Sequence, residues 1–146
     1  MKQLIDRLHR DSCSLVVCDA QGQVTTYSKP GVRDLEDLLD HHAEVLRKAR
    51  IADKVIGKAA AGMAAYGGVI EVYADVMSRK ALPLLDRCGI KHSCGQLVDA
   101  IITPQDGSRC PLEQIVASCD TPESIVQTLR QHFRQMHGST ALSCPS

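Results

Sequence analysis

A run of residues with almost no side-chain volume sets the first limit on this chain. Ala59, Ala60, Ala61, Gly62, Ala64 and Ala65 follow Gly57 and Lys58, and the run ends at the pair Gly67-Gly68. Alanine is the strongest helix former, and glycine takes the left-handed cap conformation at little cost. The spacing therefore predicts a helix that opens at Gly57-Lys58 and stops at the glycine pair. A helix so bare lies very close to whatever it packs on. Residues 69–76 then run largely apolar, with Tyr73 and three valines, as a central strand does.

At 146 residues the chain is long enough for one domain with its own core. Aromatics are scarce, with one Phe, three Tyr and no Trp, so that core must be aliphatic. Basic and acidic residues balance at 17 each, which argues against general nucleic-acid or membrane-surface binding. A small anionic molecule held by two or three residues stays compatible with that balance. No apolar run approaches the roughly 18 residues of a membrane span, and none follows the start Met1-Lys2-Gln3 as a signal peptide would. A cytoplasmic protein is the expectation. The seven cysteines are then read as thiols, and no Cys-x-x-Cys is present to suggest a zinc ribbon or a thioredoxin motif.

Further along the chain, Leu4, Ile5 and Leu8 predict a short amphipathic helix ending near Arg10. Residues 14–18 and 24–27 read as a hairpin turning at Gln21-Gly22. Residues 32–49 carry a helical pattern in which His41-His42 mark a bend, and residues 51–56 are ambiguous, with 54–56 readable as a short extended entry into the next helix. Ser78 is an N-cap for a helix over 79–87, with Pro83 in its first turn. Residues 90–94 and 97–102 read as two short strands, residues 103–107 as a turn, and residues 109–118 as a helix. A last helix starts at Thr121-Pro122 and carries Ile125, Val126, Leu129 and Phe133 on one face. The domain is expected to span 1–137, with 138–146 a loose tail. A hairpin followed by β-α-β crossovers predicts a three-layer α/β/α fold with a mixed sheet of about five strands.

Several motifs, in one order, resemble a known family. They are residues 53–61, Gly67-Gly68-Val69 with Glu71-Val72-Tyr73-Ala74, Ala81-Leu82 to Gly89-Ile90, and Cys110-Pro111-Leu112-Glu113. Over roughly residues 1–118 the chain is similar to the domain-of-unknown-function 1893 family of bacterial and archaeal proteins. That resemblance implies a cytidine-deaminase-like fold and carries no activity with it. Zinc deaminases place His-x-Glu or Cys-x-Glu at one helix start and Pro-Cys-x-x-Cys at the next. The corresponding places here, 57–59 and 77–81, offer no His, Cys or carboxylate, so no metal and no cofactor are expected.

The remaining chemistry lies at helix starts. Lys58 in a first turn opposes the helix dipole. Either an anion sits there, with Gly57 admitting it and Ser78 and Arg109 assisting, or Lys58 pairs with Asp53 or Asp75 or extends to solvent. A nucleotide or phosphorylated metabolite is the ligand class for the first reading. Cys110, next to Arg109 and before Pro111, is the alternative: a thiol of lowered pKa serving acyl or sulfur transfer or redox sensing. Glu113, three residues on, is the second candidate catalytic residue of that reading; its charge opposes the lowered pKa, and its natural role is to reach back in a capping box. Asp106 and Ser108 are read as turn residues, Cys18 and Tyr73 as packing, and His41-His42 and His92 with Cys94 as too sparse for a metal. A third reading is a scaffold within a larger complex, and a homodimer is left open.

Overall fold

The first 27 residues form one helix and a hairpin: Leu4 and Leu8 recur four positions apart, and the apolar run Leu15 to Cys18 is followed by the β-branched Val24, Thr25 and Thr26. In the computed structural model, which describes residues 1–29, 32–99 and 111–140, helix α1 spans Lys2–Arg10 and buries Leu4 and Leu8. Strands β1 (Leu15–Cys18) and β2 (Val24–Tyr27) pair antiparallel. The Asp19 carboxylate closes their turn by accepting from the amides of Gln21 and Gln23 at 3.0 and 2.9 Å, with Gly22 at φ +86°.

The predicted helix over 32–49 is two helices, α2 (Arg33–His41) and α3 (Ala43–Leu46), broken at His42, where the backbone leaves helical angles. The ambiguous residues that follow are a full strand, β3 (Arg50–Ile56), lying at the centre of the sheet. Helix α4 (Lys58–Gly67) and strand β4 (Glu71–Ser78) are the predicted unit, with Gly68 at φ +91° as the left-handed cap. A 3-10 turn (Arg79–Ala81) leads into α5 (Leu82–Arg87), with Pro83 in its first turn. One strand, β5 (Lys91–Val98), replaces the two short strands expected there. Gly95 interrupts the side-chain pattern, and the pairing with β4 skips this one position but resumes in the same register, Ala74 opposite Cys94 and Val76 opposite Gln96. Helix α6 covers Pro111–Ile115, and α7 runs from Pro122 to Thr140, past the boundary expected at 137. Thr121 and Ser124 cap α7 reciprocally: Ser124 N donates to Thr121 Oγ1 at 3.1 Å and Thr121 N to Ser124 Oγ at 3.2 Å.

The sheet has five strands in the order β2-β1-β3-β4-β5. β1 is antiparallel to both neighbours, and β3, β4 and β5 are mutually parallel. Parallel strands need crossovers, and α4 and α5 supply them. The main core lies on the α4 side and includes Ile51 and Ile56 of β3, Val72, Ala74 and Met77 of β4, and Leu84, Leu85, Ile125 and Leu129 of the helices. On the other side α1 packs Leu4 and Leu8 over Val16 and Ala52. We expect Leu8→Ala to lower stability by about 2–4 kcal/mol, because a buried leucine leaves a cavity. Native-state hydrogen exchange would register this as lost protection concentrated in α1; unchanged α1 protection would contradict the packing described.

The alternation of core-facing residues breaks at the same level on all three parallel strands. Asp53, Ala74 and Cys94 are register partners, as are Ile56, Met77 and Leu97 three positions later. Ala74 and Met77 are both in the α4-side core, and Cys94 and Leu97 both pack against it. The step occurs in concert, so the register survives, and Val55 is left 43% exposed.

Candidate functional site

Gly57 lies between β3 and α4 as the N-cap of α4, at the carboxyl end of the parallel strands, where open α/β sheets hold ligands. Its own side chain can cap nothing, and the first-turn amides of α4 find their partner elsewhere. Lys58 N donates to Glu113 Oε1 at 2.7 Å and Ala59 N to Glu113 Oε2 at 3.0 Å. The expected capping box within α6 is thus replaced by a bond between helices: Glu113 leaves its own helix start and caps α4. The arrangement explains Gly57 by space, since its backbone is extended at φ −102° while a Cβ built there would collide with the Glu113 carboxylate. It also explains the position of Lys58. A carboxylate at a helix amino end is stabilised by the aligned peptide dipoles, and this offsets the lysine charge beside it.

The Lys58 ammonium pairs with neither Asp53 nor Asp75. Its Nζ donates to the carbonyl of Ala117 at 3.0 Å, just beyond α6. Side chain and backbone of one residue therefore both hold the α6 region. Ser78 is fully buried, with its Oγ accepting from Lys80 N at 3.2 Å, so it serves as the predicted cap and is not open to a ligand. Arg109 and Cys110 lie outside the described residues, as do Asp106 and Ser108. The structure brings together Gly57, Lys58 and Glu113 of the expected set.

Asp53 and Asp75, named above only as partners for Lys58, have other settings, and Asp34 was not singled out in the sequence at all. Asp53 is 7% exposed, within the main sheet, and burial pushes its carboxyl up to about 7 against the opposing hydrogen bonds from the amides of Val55 and Lys54. Nearby Asp34, 5% exposed, accepts from Lys29 N at 2.9 Å; burial raises its pKa too. On the opposite face Asp75 Oδ1 lies 2.7 Å from His9 Nε2 and accepts from Tyr73 OH at 2.9 Å, tying the end of α1 to β4. An aspartate inside an apolar strand was the available signal for Asp53, hidden because that strand was not recognised. His92 pairs with Asp86 at 2.8 Å and has no metal-like setting. Among the described residues no group of three or more His, Cys, Asp or Glu is placed to hold a metal, and no helix is long and apolar enough to cross a membrane.

An open mixed sheet, with a capped helix start at the carboxyl end of its parallel strands, defines an α/β protein whose candidate site is that helix start. The chain belongs to the family described as TM1506: Domain of unknown function (DUF1893), which it matches over residues 3–133. It is similar to the crystal structure of a DUF1893 family protein (TM1506) from Thermotoga maritima at 2.70 Å resolution. The TM-score is 0.79 at 22% identity, covering 90% of this chain and 88% of that chain. At this identity the likeness establishes the shared fold. No curated protein matches the chain.

Proposed function

We propose that this protein is a binding module for a small anionic molecule, a nucleotide or phosphorylated metabolite, received at the amino end of α4. The observation that carries the reading is the Glu113 carboxylate seated on the amides of Lys58 and Ala59, an internal anion in the place a ligand's phosphate or carboxylate would take. Lys58 adds a positive charge that can turn from the Ala117 carbonyl to the incoming group. Binding then exchanges Glu113 for the ligand and frees α6, which converts occupancy into a change of shape.

The reading keeps the cytidine-deaminase-like framework implied by the family motifs but not its zinc chemistry. An ammonium and backbone amides are what 57–59 provide; zinc needs thiolates or imidazoles. The donor set does not fit the metal.

Thermal unfolding in the presence of inorganic phosphate, pyrophosphate, AMP and ATP tests the proposal. Glu113→Gln weakens the internal occupant and keeps its shape, so its melting temperature should rise by about 4 °C at tenfold excess over Kd, more than wild type. Lys58→Ala should abolish the shift. Absence of any shift in both wild type and Glu113→Gln, or an undiminished shift in Lys58→Ala, would overturn it.

A second reading, a cysteine-dependent enzyme or redox sensor using Cys110, draws support from one fact. Helix α6, which begins one residue after Cys110, meets the start of α4 through Glu113. Alkylation rate against pH decides it: a Cys110 that reacts only above about pH 8.5 is an ordinary thiol.

A further inference from the structure

We infer that residues 112–120 form a strap across the start of α4 that lifts as a unit in the ligand-free protein, with Arg87 of α5 as the latch at its carboxyl end. The strap's use rests on the anion-binding reading above; its motion does not. Three polar ties, spaced along its length, hold it to α4 and α5. Glu113 accepts from the amides of Lys58 and Ala59 at 2.7 and 3.0 Å. The Ala117 carbonyl accepts from Lys58 Nζ at 3.0 Å, and the Asp120 carbonyl from Arg87 Nη2 at 2.8 Å.

The donors stand on anchored helices: α4 buries Ala59, Ala60 and Ala61, and α5 buries Leu84 and Leu85. The strap itself has little apolar anchorage. Val116 is its one fully buried side chain, and Leu112 and Ile115 are only partly covered. Cys119 leans on α7, its sulfur 3.8 Å from the Ser124 carbonyl and 3.5 Å from Thr128 Oγ1, where the strap joins that helix. Helix α7, directly after it, buries Ile125, Val126 and Leu129. Inside the strap, Val116 N donates to the Leu112 carbonyl at 3.2 Å and Cys119 N to the Val116 carbonyl at 3.0 Å, bonds that travel with it. Segments with few buried apolar contacts and exposed hydrogen bonds open locally, at a smaller cost than global unfolding. Lifting withdraws Val116 and breaks the ties together, so loosening the Arg87 end also loosens the Glu113 end.

Amide hydrogen exchange without ligand, read residue by residue by NMR in low concentrations of urea, tests the strap. The amides of Lys58 and Ala59 exchange only when Glu113 is away. Their rates should depend little on urea, whereas those of Val72 and Leu129, in the sheet and α7, should climb steeply. Arg87→Gln, whose side chain bonds neither amide, should speed exchange at Lys58 and Ala59 about fivefold, and Val116→Ala about tenfold. A urea dependence at Lys58 and Ala59 as steep as at Val72 would overturn the inference, because the strap would then open only with the whole fold. Rates unmoved by either variant would do the same, since Glu113 would be swinging alone. A strap that lifts in a protein whose melting temperature no phosphate compound shifts would keep this inference and end the binding reading.

Discussion

Replacing Asp53 by asparagine should stabilise the protein at pH 5 and by a clearly larger margin at pH 8. Burial raises the folded-state pKa of Asp53 from 3.8 to about 7. The unfolded chain gives up this proton near pH 4, whereas the folded chain holds it to about 7. Between those values the folded state binds more protons, so raising the pH removes stability throughout the window. Above it both states are ionised and the loss is complete. The span corresponds to at most about 4 kcal/mol. An asparagine side chain at this position has no charge to bury and should remove that slope. Asp34 shifts in the same direction and retains its smaller share in the variant. Urea midpoints for both proteins at pH 5 and pH 8 measure the effect; parallel pH profiles would show that Asp53 is ionised in the fold without penalty.

Gly62→Val should be the most damaging single change in α4, by about 3 kcal/mol or more. A Cβ at this position would fall 2.6 Å from Ile125 Cγ2 and 2.9 Å from Ile125 Cβ, and Ile125 is fully buried on α7. The Cβ of a β-branched residue on a packed helix cannot swing aside, so α7 must move away. Ile125→Ala alone should cost about 2–5 kcal/mol by leaving a cavity. Combined, the two changes fill each other's space, and the double variant should be markedly more stable than the sum of the single effects implies. Chemical denaturation of the four proteins gives the coupling; simple additivity would mean that α4 and α7 are not in contact here.

This contact shows what was legible in the sequence. The alanines and Gly62 announced a helix that admits close neighbours, and Gly67-Gly68 announced its end, because propensity and capping are local properties. The identity of the neighbour was not legible: Gly62 accepts Ile125 of α7, and a Cβ on Gly67 would fall 2.8 Å from Leu46 Cδ1 of α3. β3 was obscured because Asp53, Lys54 and the exposed Val55 break the alternation that marks a strand, and its parallel and antiparallel partners supply the order instead. β5 was split for the related reason that Gly95 carries no side chain. At the candidate site, Gly57 and Lys58 were visible as an unusual helix start, and Glu113 as a capping residue. Which helix it caps is a tertiary fact that no spacing encodes.

The cap on α4 also imposes an order of events on a ribosome. The bonded partners are separated by 55 and 54 positions, so the amides of Lys58 and Ala59 stay bare until the glutamate has emerged. A nascent chain ending after β5 already has all five strands but lacks this clasp and the α7 face that covers Gly62. A chain that stopped there would hold the residues of every strand while the face of α4 that meets Ile125 had no cover, so the carboxyl-terminal helices supply what the sheet alone cannot.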